Sequence, residues 1–238
     1  MSVLELRPPS RRLVAFALAG VLLFSPLIAG AGMLRPGPVE IVGQARVVDG
    51  DTLEIDGHRI RLEGIDAPET AQTCGRRWFG TWSCGKSAAR ALSDLVAGRR
   101  ITCRSMGRDK YGRILGVCSV GESDINAEMV CRGYAWAFVK YSRSYVAEEA
   151  EAREARAGIW QGDAEPAWSF RANRWQSAGT DAPDGCAIKG NVSGNGRIYH
   201  MPWSPWYGRV KVDLDRGERW LCSEDEARQS GWRPAVAG

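Results

Sequence analysis

The stretch from Val47 to Glu69, VVDGDTLEIDGHRIRLEGIDAPE, constrains the fold more than any other, because it sets two Asp-Gly turns between short alternating runs of apolar and polar residues. Val47-Val48, Thr52-Leu53-Glu54-Ile55 and Arg59-Ile60-Arg61-Leu62 read as strands of a meander, with Asp49-Gly50 and Asp56-Gly57 as the turns between them. Asp51 leaves the first turn, Asp66 ends the run after Leu62, and Glu69 follows Pro68. Separate elements therefore converge three carboxylates and Arg61 on one spot. Like charges brought together out of water destabilise one another unless a cation or a guanidinium stands between them. The natural neutraliser is a hard cation with oxygen ligands.

Three blocks carry a resemblance: Asp49-Gly50-Asp51-Thr52, the run from Arg61 to Asp66-Ala67-Pro68-Glu69, and Asp109-Lys110-Tyr111-Gly112-Arg113. In content and order they resemble the signature of the staphylococcal (micrococcal) nuclease family, over roughly Gly43 to Trp160. The resemblance implies a phosphodiesterase that uses Ca2+, with Asp51 and Asp66 as direct ligands, the backbone carbonyl of Ala67 as a third and Asp49 behind them. The family usually carries Thr where this chain has Ala67, a change that a backbone ligand tolerates. Glu69 is implied as general base on the attacking water, and Arg61 and Arg113 as a clamp on the phosphate. Lys110 and Tyr111 are implied to shape the arginine turn and to meet substrate. DNA and RNA are the implied substrates, single strands preferred, with little sequence preference and 3′-phosphate products.

The side-chain chemistry agrees with that assignment. Phosphodiester hydrolysis needs an activated water, a cation on a phosphate oxygen, and positive charge matched to the charge that builds at the transition state. A competing expectation is a catalytically inactive OB-fold module of the cell envelope that only binds nucleic acid. Such a binder has no use for carboxylates facing a phosphate, which they repel in the absence of a metal. A disulfide-stapled structural protein of the envelope is a third reading; it explains the cysteines and not the site.

Seven cysteines are many for a reducing compartment, and none lies in a CxxC metal spacing. Their order suggests Cys74 with Cys84, Cys103 with Cys118 and Cys186 with Cys222, leaving Cys131 free. Arg11-Arg12 before the apolar run Leu13 to Ala31, closing on Ala29-Gly30-Ala31, reads as an export signal over 1–31. Its length also approaches that of an uncleaved anchor, so the expected location is periplasmic or secreted, or membrane-anchored with the body outside the cytoplasm. Membrane contact is expected only for the uncleaved form, and no protein partner is predicted. The net charge of +4 shrinks to about +2 without the leader's Arg7, Arg11, Arg12 and Glu5. A polyanion would therefore be met by local arginines rather than by a broadly basic surface.

The fold class expected is α+β and mainly β. Five short strands with helices between and after them fit an OB-type Greek-key barrel, and the resemblance implies about three helices. Residues 40–170 are expected to form this domain. The loop TAQTCGRRWFGTWSCG after Glu69 either lines a nucleic-acid groove with Arg76, Arg77, Trp78 and Trp82 or packs its tryptophans inward. Gly, Pro, Ser and Asp around 171–185 read as a partly docked linker. The segment 186–236, rich in Trp and Tyr, resembles the small sunset-type domain appended to other exported nucleases of this kind; it is expected to fold around Cys186–Cys222.

Overall fold

The computed structural model describes residues 39–235, so the expected leader or anchor at 1–31 lies outside the described residues. Within them no helix is long and apolar enough to cross a membrane. The meander is built from β1 (Glu40–Gln44), β2 (Arg46–Asp49), β3 (Thr52–Ile55) and β4 (His58–Leu62). Asp56 (φ 47°) and Gly57 (φ 77°) both take positive φ between β3 and β4. A two-residue turn needs this to match the right-handed twist of its strands. Between β2 and β3 the register slips at Val47/Asp49, and the irregularity turns Asp49 and Asp51 off the regular alternation.

Further along come β5 (Ile65–Asp66), β6 (Cys74–Gly75), β7 (Thr81–Trp82), helix α1 (Cys84–Val96), and the long hairpin β8 (Arg100–Arg108) and β9 (Ile114–Val120). The main sheet has seven strands in the order β1-β8-β9-β4-β3-β2, with β10 (Ser123–Asp124) paired to β9. All its pairings are antiparallel except β4 with β9, where Ile60 lies opposite Ile114. β1 at one edge also touches β3, and a Cβ on Gly43 of β1 would lie 2.6 Å from Ile55 Cγ2. The sheet is therefore curled and open. This mixed α/β arrangement is coarser than the five-stranded barrel with about three helices read from the sequence: the first strand breaks at Ala45, β10 adds a seventh strand, and five α-helices lie among the described residues.

Alternation along the strands sends Leu53, Ile55, Ile60 and Leu62 inward, all fully buried, against Ala88, Leu92 and Leu95 of α1 and Ile125 and Met129 of α2 (Ile125–Cys131). Burying a side chain of this size contributes about 1.5–3 kcal/mol. Asp124 caps α2 by accepting from Ala127 N–H at 3.0 Å. Tyr134 to Val139, which reads as an extension of the sheet, instead supplies β11 (Trp136–Ala137), paired with β5 in a separate two-stranded ribbon. α3 (Val146–Glu154) then packs on α2.

The stretch 171–185, expected as a linker, lies mostly in a 15-residue helix, α4 (Ala167–Asp181). Pro166 suits the entry to a helix, and neither Gly nor Pro occurs again until Gly179. Ala167 is fully buried beside Trp136 and Ile159, and the Trp168 ring stacks on Phe138 at 5.5 Å and 10°. Beyond it β12 (Ile188–Ser193), β13 (Gly196–His200), β14 (Arg219–Leu221), α5 (Glu224–Gln229) and β15 (Arg233–Pro234) enclose a small core of Ile188, Tyr199, Leu221, Ala227 and Trp232. The described residues lie in one compact unit. Disulfides join Cys74–Cys84, Cys103–Cys118 and Cys186–Cys222, and Cys131 is an exposed free thiol.

Candidate active site

Four carboxylates and two guanidiniums meet where the β2–β3 turn, β4 and β5 come together. Arg61, central on β4, donates from Nη1 to Asp51 Oδ1 at 3.0 Å and from Nη2 to Asp66 Oδ1 at 2.7 Å. Asp51 also accepts from Ala67 N–H at 3.2 Å and from the Thr52 hydroxyl at 3.1 Å. Asp49 sits behind, its Oδ1 accepting from Asp51 N–H at 3.1 Å. The Asp66 side chain is completely buried, its backbone paired with Trp136 of β11.

The second guanidinium comes from α4. Arg171 grips Asp66 through Nη1 to Oδ1 at 3.1 Å and Nη2 to Oδ2 at 2.8 Å, and its Nη1 also donates to Glu69 Oε1 at 2.7 Å. Sequence reasoning missed it: Arg171 falls in the presumed linker, 105 residues from Asp66. Gln72, fully buried, sets up this contact. Its Oε1 accepts from Glu69 N–H at 3.2 Å and its Nε2 donates to the Glu165 carbonyl at 2.6 Å, tying the Glu69 loop to the entry of α4. Gly85 at the start of α1 packs beneath: a Cβ there would lie 1.7 Å from the Glu69 carbonyl oxygen, so no larger residue fits without moving the loop.

Burial sets the protonation of the group. Burial, reinforced by the neighbouring Asp51, pushes Asp49 up to about 6. Glu69 is pushed up to about 7 by burial, against the opposing pull of Arg171. Asp51 is held below the usual carboxylate range, because Arg61, Arg113 and the Ala67 N–H together outweigh its burial. No three His, Cys, Asp or Glu side chains among the described residues form a metal cage by themselves. The residues present nevertheless fit a hard dication. Asp51, Asp66 and Glu69 share two contacting guanidiniums with Asp49 behind them, and two carboxylates with a carbonyl and waters make the all-oxygen, flexible donor set that such ions take.

Arg113 approaches from the turn between β8 and β9. Asp109 holds it: one carboxylate oxygen accepts from Arg113 Nε at 2.7 Å, the other from the backbone N–H groups of Tyr111 and Arg113, both at 2.9 Å. Arg113 thus lines the cleft beside the carboxylates without touching them. Lys110 stands over the Tyr111 ring at 4.6 Å on the same turn. The loop carrying Trp78 takes neither expected form as a whole: Trp82 packs inward and donates to the Gly75 carbonyl at 3.2 Å, whereas Trp78 is exposed. The cleft over the carboxylates has a volume of about 890 Å³, and Trp203, Trp206 and Arg228 of the C-terminal segment line it along with Asp51, Arg61 and Arg113.

A curled sheet bearing buried carboxylates, forked arginines and a deep cleft is the equipment of a protein that handles phosphate esters. Residues 59–162 match the family described as staphylococcal nuclease homologue. Among similar proteins, the succinoglycan biosynthesis protein ExoI of Rhizobium meliloti is 35% identical over 168 residues, 69% of this chain and 84% of the relative. An uncharacterized endonuclease of Escherichia coli is 39% identical over 53% of this chain and 81% of its own length, and a micrococcal nuclease of Shigella flexneri 34% identical over 53% and 77%. The chain belongs to the staphylococcal nuclease homologue family, and this kinship supports a nuclease-type activity. The matched segment leaves out Asp49, Asp51, Arg171 and everything C-terminal to Gly162.

Proposed function

We infer that the protein is an exported, calcium-dependent nuclease that hydrolyses DNA and RNA with little sequence preference. The observation that carries this reading is the trio Asp51, Asp66 and Glu69, bridged by Arg61 and Arg171 with Asp49 behind and faced by Arg113 in one cleft. Asp51 and Asp66, with the Ala67 carbonyl and Asp49 behind, would hold Ca2+, which when bound polarises a phosphate oxygen and attracts the substrate's charge. Glu69 orients the attacking water and takes its proton. A new P–O bond forms as the bond to the 5′ oxygen breaks; that oxygen takes a proton from solvent to become a hydroxyl, leaving a 3′-phosphate on the other fragment. Arg61 and Arg113, brought by different elements to one cleft, bind phosphate oxygens, and their forks meet the transition state better than a lysine would. Lys110 and Tyr111 contact the strand beside the scissile phosphate.

Arg171 belongs to this machinery as a positioning residue. It fixes Glu69 and Asp66 relative to one another, which two loops could not do unaided. The curled sheet supports the OB-type barrel reading, and the segment from Cys186 supports the sunset-type reading through its own core and disulfide. Residues 40–170, 171–185 and 186–236 remain the proposed divisions, with α4 serving both sides. The apolar run expected as a leader or anchor and three disulfides, which persist where the surroundings oxidise, support a periplasmic or secreted location, or an anchored one with the body outside the cytoplasm.

The experiment is release of acid-soluble nucleotides from denatured DNA and from RNA by purified protein, with calcium and then with chelator. Calcium-dependent release from both, and its fall by orders of magnitude in Glu69→Gln, is the expected result. Folded protein that binds single strands and releases nothing under any divalent cation would instead make it a binding module.

A further inference from the structure

We propose that the loop Pro202-Trp203-Ser204-Pro205-Trp206 of the C-terminal segment is a base-stacking subsite of the active cleft, which takes an unpaired nucleotide next to the bond being cut. The proposal rests on the nuclease reading and adds to it the wall on which a substrate base lies. Both tryptophans line the same cleft as Asp51, Arg61 and Glu69. They come from a segment that the family match does not include.

The plainer account is that these rings only glue the C-terminal segment together. The segment's core does not need them: its buried residues are Ile188, Tyr199, Leu221, Ala227 and Trp232, with Trp175, Val192 and Met201 packed against them. Tyr199 and Trp232 are thus accounted for by folding, whereas Trp203 and Trp206 remain half-buried along the cleft. Among the described residues Trp203 has one aromatic neighbour, Trp175 of α4, at 6.4 Å and tilted by 44°. Trp175 lies one helical turn beyond Arg171, so the ring pair stands on the helix that reaches the carboxylates. Among the described residues Trp206 has no aromatic ring packed on it.

The loop is also stiff. Ser204 N–H donates to the Met201 carbonyl at 2.8 Å, Tyr207 N–H to Ser204 at 3.1 Å and Arg209 N–H to Trp206 at 2.9 Å, a chain of consecutive turns. Two prolines restrict the backbone further. Lys189 of β12 donates to the carbonyls of Tyr207 and Val210 at 3.1 and 2.9 Å, and the Tyr207 hydroxyl donates to the Ala187 carbonyl at 2.7 Å, bracing the loop from beneath. Large rings held in place before a ligand arrives lose little entropy on binding it. On the opposite side Arg228 of α5 donates to the Tyr111 carbonyl at 3.0 Å and lies over the Tyr111 ring at 5.3 Å. The segment is therefore fastened to the turn that carries Arg113.

The occupant follows from this chemistry. Guanidiniums on the cleft floor receive a phosphate, and flat apolar faces beside them receive something flat and apolar attached to it. A nucleobase presents its face only when it is outside a duplex stack, which makes the ligand a single strand. Stacking on an aromatic side chain is worth about 1–3 kcal/mol per base, a fivefold to hundredfold effect on affinity.

The test uses the full-length protein, its Trp206→Ala and Trp206→Phe variants, and Trp203→Ala as a second site. Binding of an oligothymidylate of about six nucleotides is followed by fluorescence in chelator, where no cleavage occurs. Cleavage of the same strand is followed with calcium. Trp206→Ala should weaken binding and raise KM by about fivefold or more with kcat unchanged, Trp206→Phe should stay near wild type, and all should melt at the wild-type temperature. Binding and KM within twofold of wild type in both alanine variants would overturn the subsite. If wild type cleaves nothing, the nuclease reading fails, and the binding comparison still decides the subsite by itself.

Discussion

A guanidinium that bridges Asp66 and Glu69 does two things: it lowers the energy of two carboxylates in a buried place, and it fixes the distance between a proposed ligand and a proposed base. Arg171 is that group, and its removal is felt electrostatically before it is felt in packing. In the cation-free protein Asp49 is raised to about 6 and Glu69 to about 7. A carboxyl that holds its proton more tightly folded than unfolded contributes stability below its unfolded value of about 4 and loses it as pH rises through the folded value. Asp51, held low, works in the opposite sense, and only at the acid end. The melting temperature in chelator should therefore fall between about pH 4 and pH 7. In Arg171→Gln the fall should continue to higher pH, because the charge that opposes the rise of Glu69 is gone. With calcium, the same variant should lose turnover by about 10- to 100-fold, the usual cost of removing a group that orients ligands. A flat wild-type profile over that range, or a variant with normal turnover, would remove Arg171 from this role.

At the scale of elements, what was legible in the sequence was whatever is written locally. Asp56-Gly57 announces its turn, the alternation of Thr52 to Ile55 announces a strand, and Ala88, Leu92 and Leu95 announce one face of α1. The three blocks of charged residues gave the carboxylate site the same way, since turn chemistry fixes where Asp49, Asp51 and Arg113 point. What stayed hidden depends on contacts between distant segments. α4 carried a usable signal in Trp168, Arg171 and Trp175, spaced by three and four residues, but glycine, proline and serine on either side made the region read as a linker. Asn126 gave no signal at all. Completely buried, it accepts from Cys118 N–H at 3.2 Å and donates to the carbonyls of Glu63 and Gly116 at 2.9 and 3.1 Å. It therefore holds α2, β9 and the bend before Asp66 together. Asn126→Ala takes the side-chain partner from the Cys118 N–H and the Glu63 carbonyl, whereas the Gly116 carbonyl still accepts from Glu63 N–H at 2.9 Å; the loss should cost about 2–4 kcal/mol, read from urea unfolding. A loss below about 0.5 kcal/mol would mean that water takes over its bonds.

At the scale of the whole molecule, the family-matched segment and the lining of the cleft differ in extent. Residues 59–162 hold Arg61, Asp66, Glu69 and Arg113, yet the cleft above them is finished by α4 and by the C-terminal segment. Two truncations separate those contributions. A chain ending after Asp181 keeps Ala167 in the cluster around Trp136 and keeps Arg171 on Asp66 and Glu69, so the carboxylate site stays intact while the wall of Trp203 and Trp206 is lost. It should retain kcat and show a KM for short single strands raised by about fivefold or more. A chain ending after Pro166 also loses Arg171, and opens the Trp136 cluster by removing Ala167 and Trp168. Its kcat should fall by about 10- to 100-fold even at saturating substrate. The comparison needs both chains folded, which far-ultraviolet circular dichroism and the melting temperature establish. Equal kcat in the two would mean that α4 is only a spacer, and an unchanged KM in the longer one would return the C-terminal segment to a purely structural part.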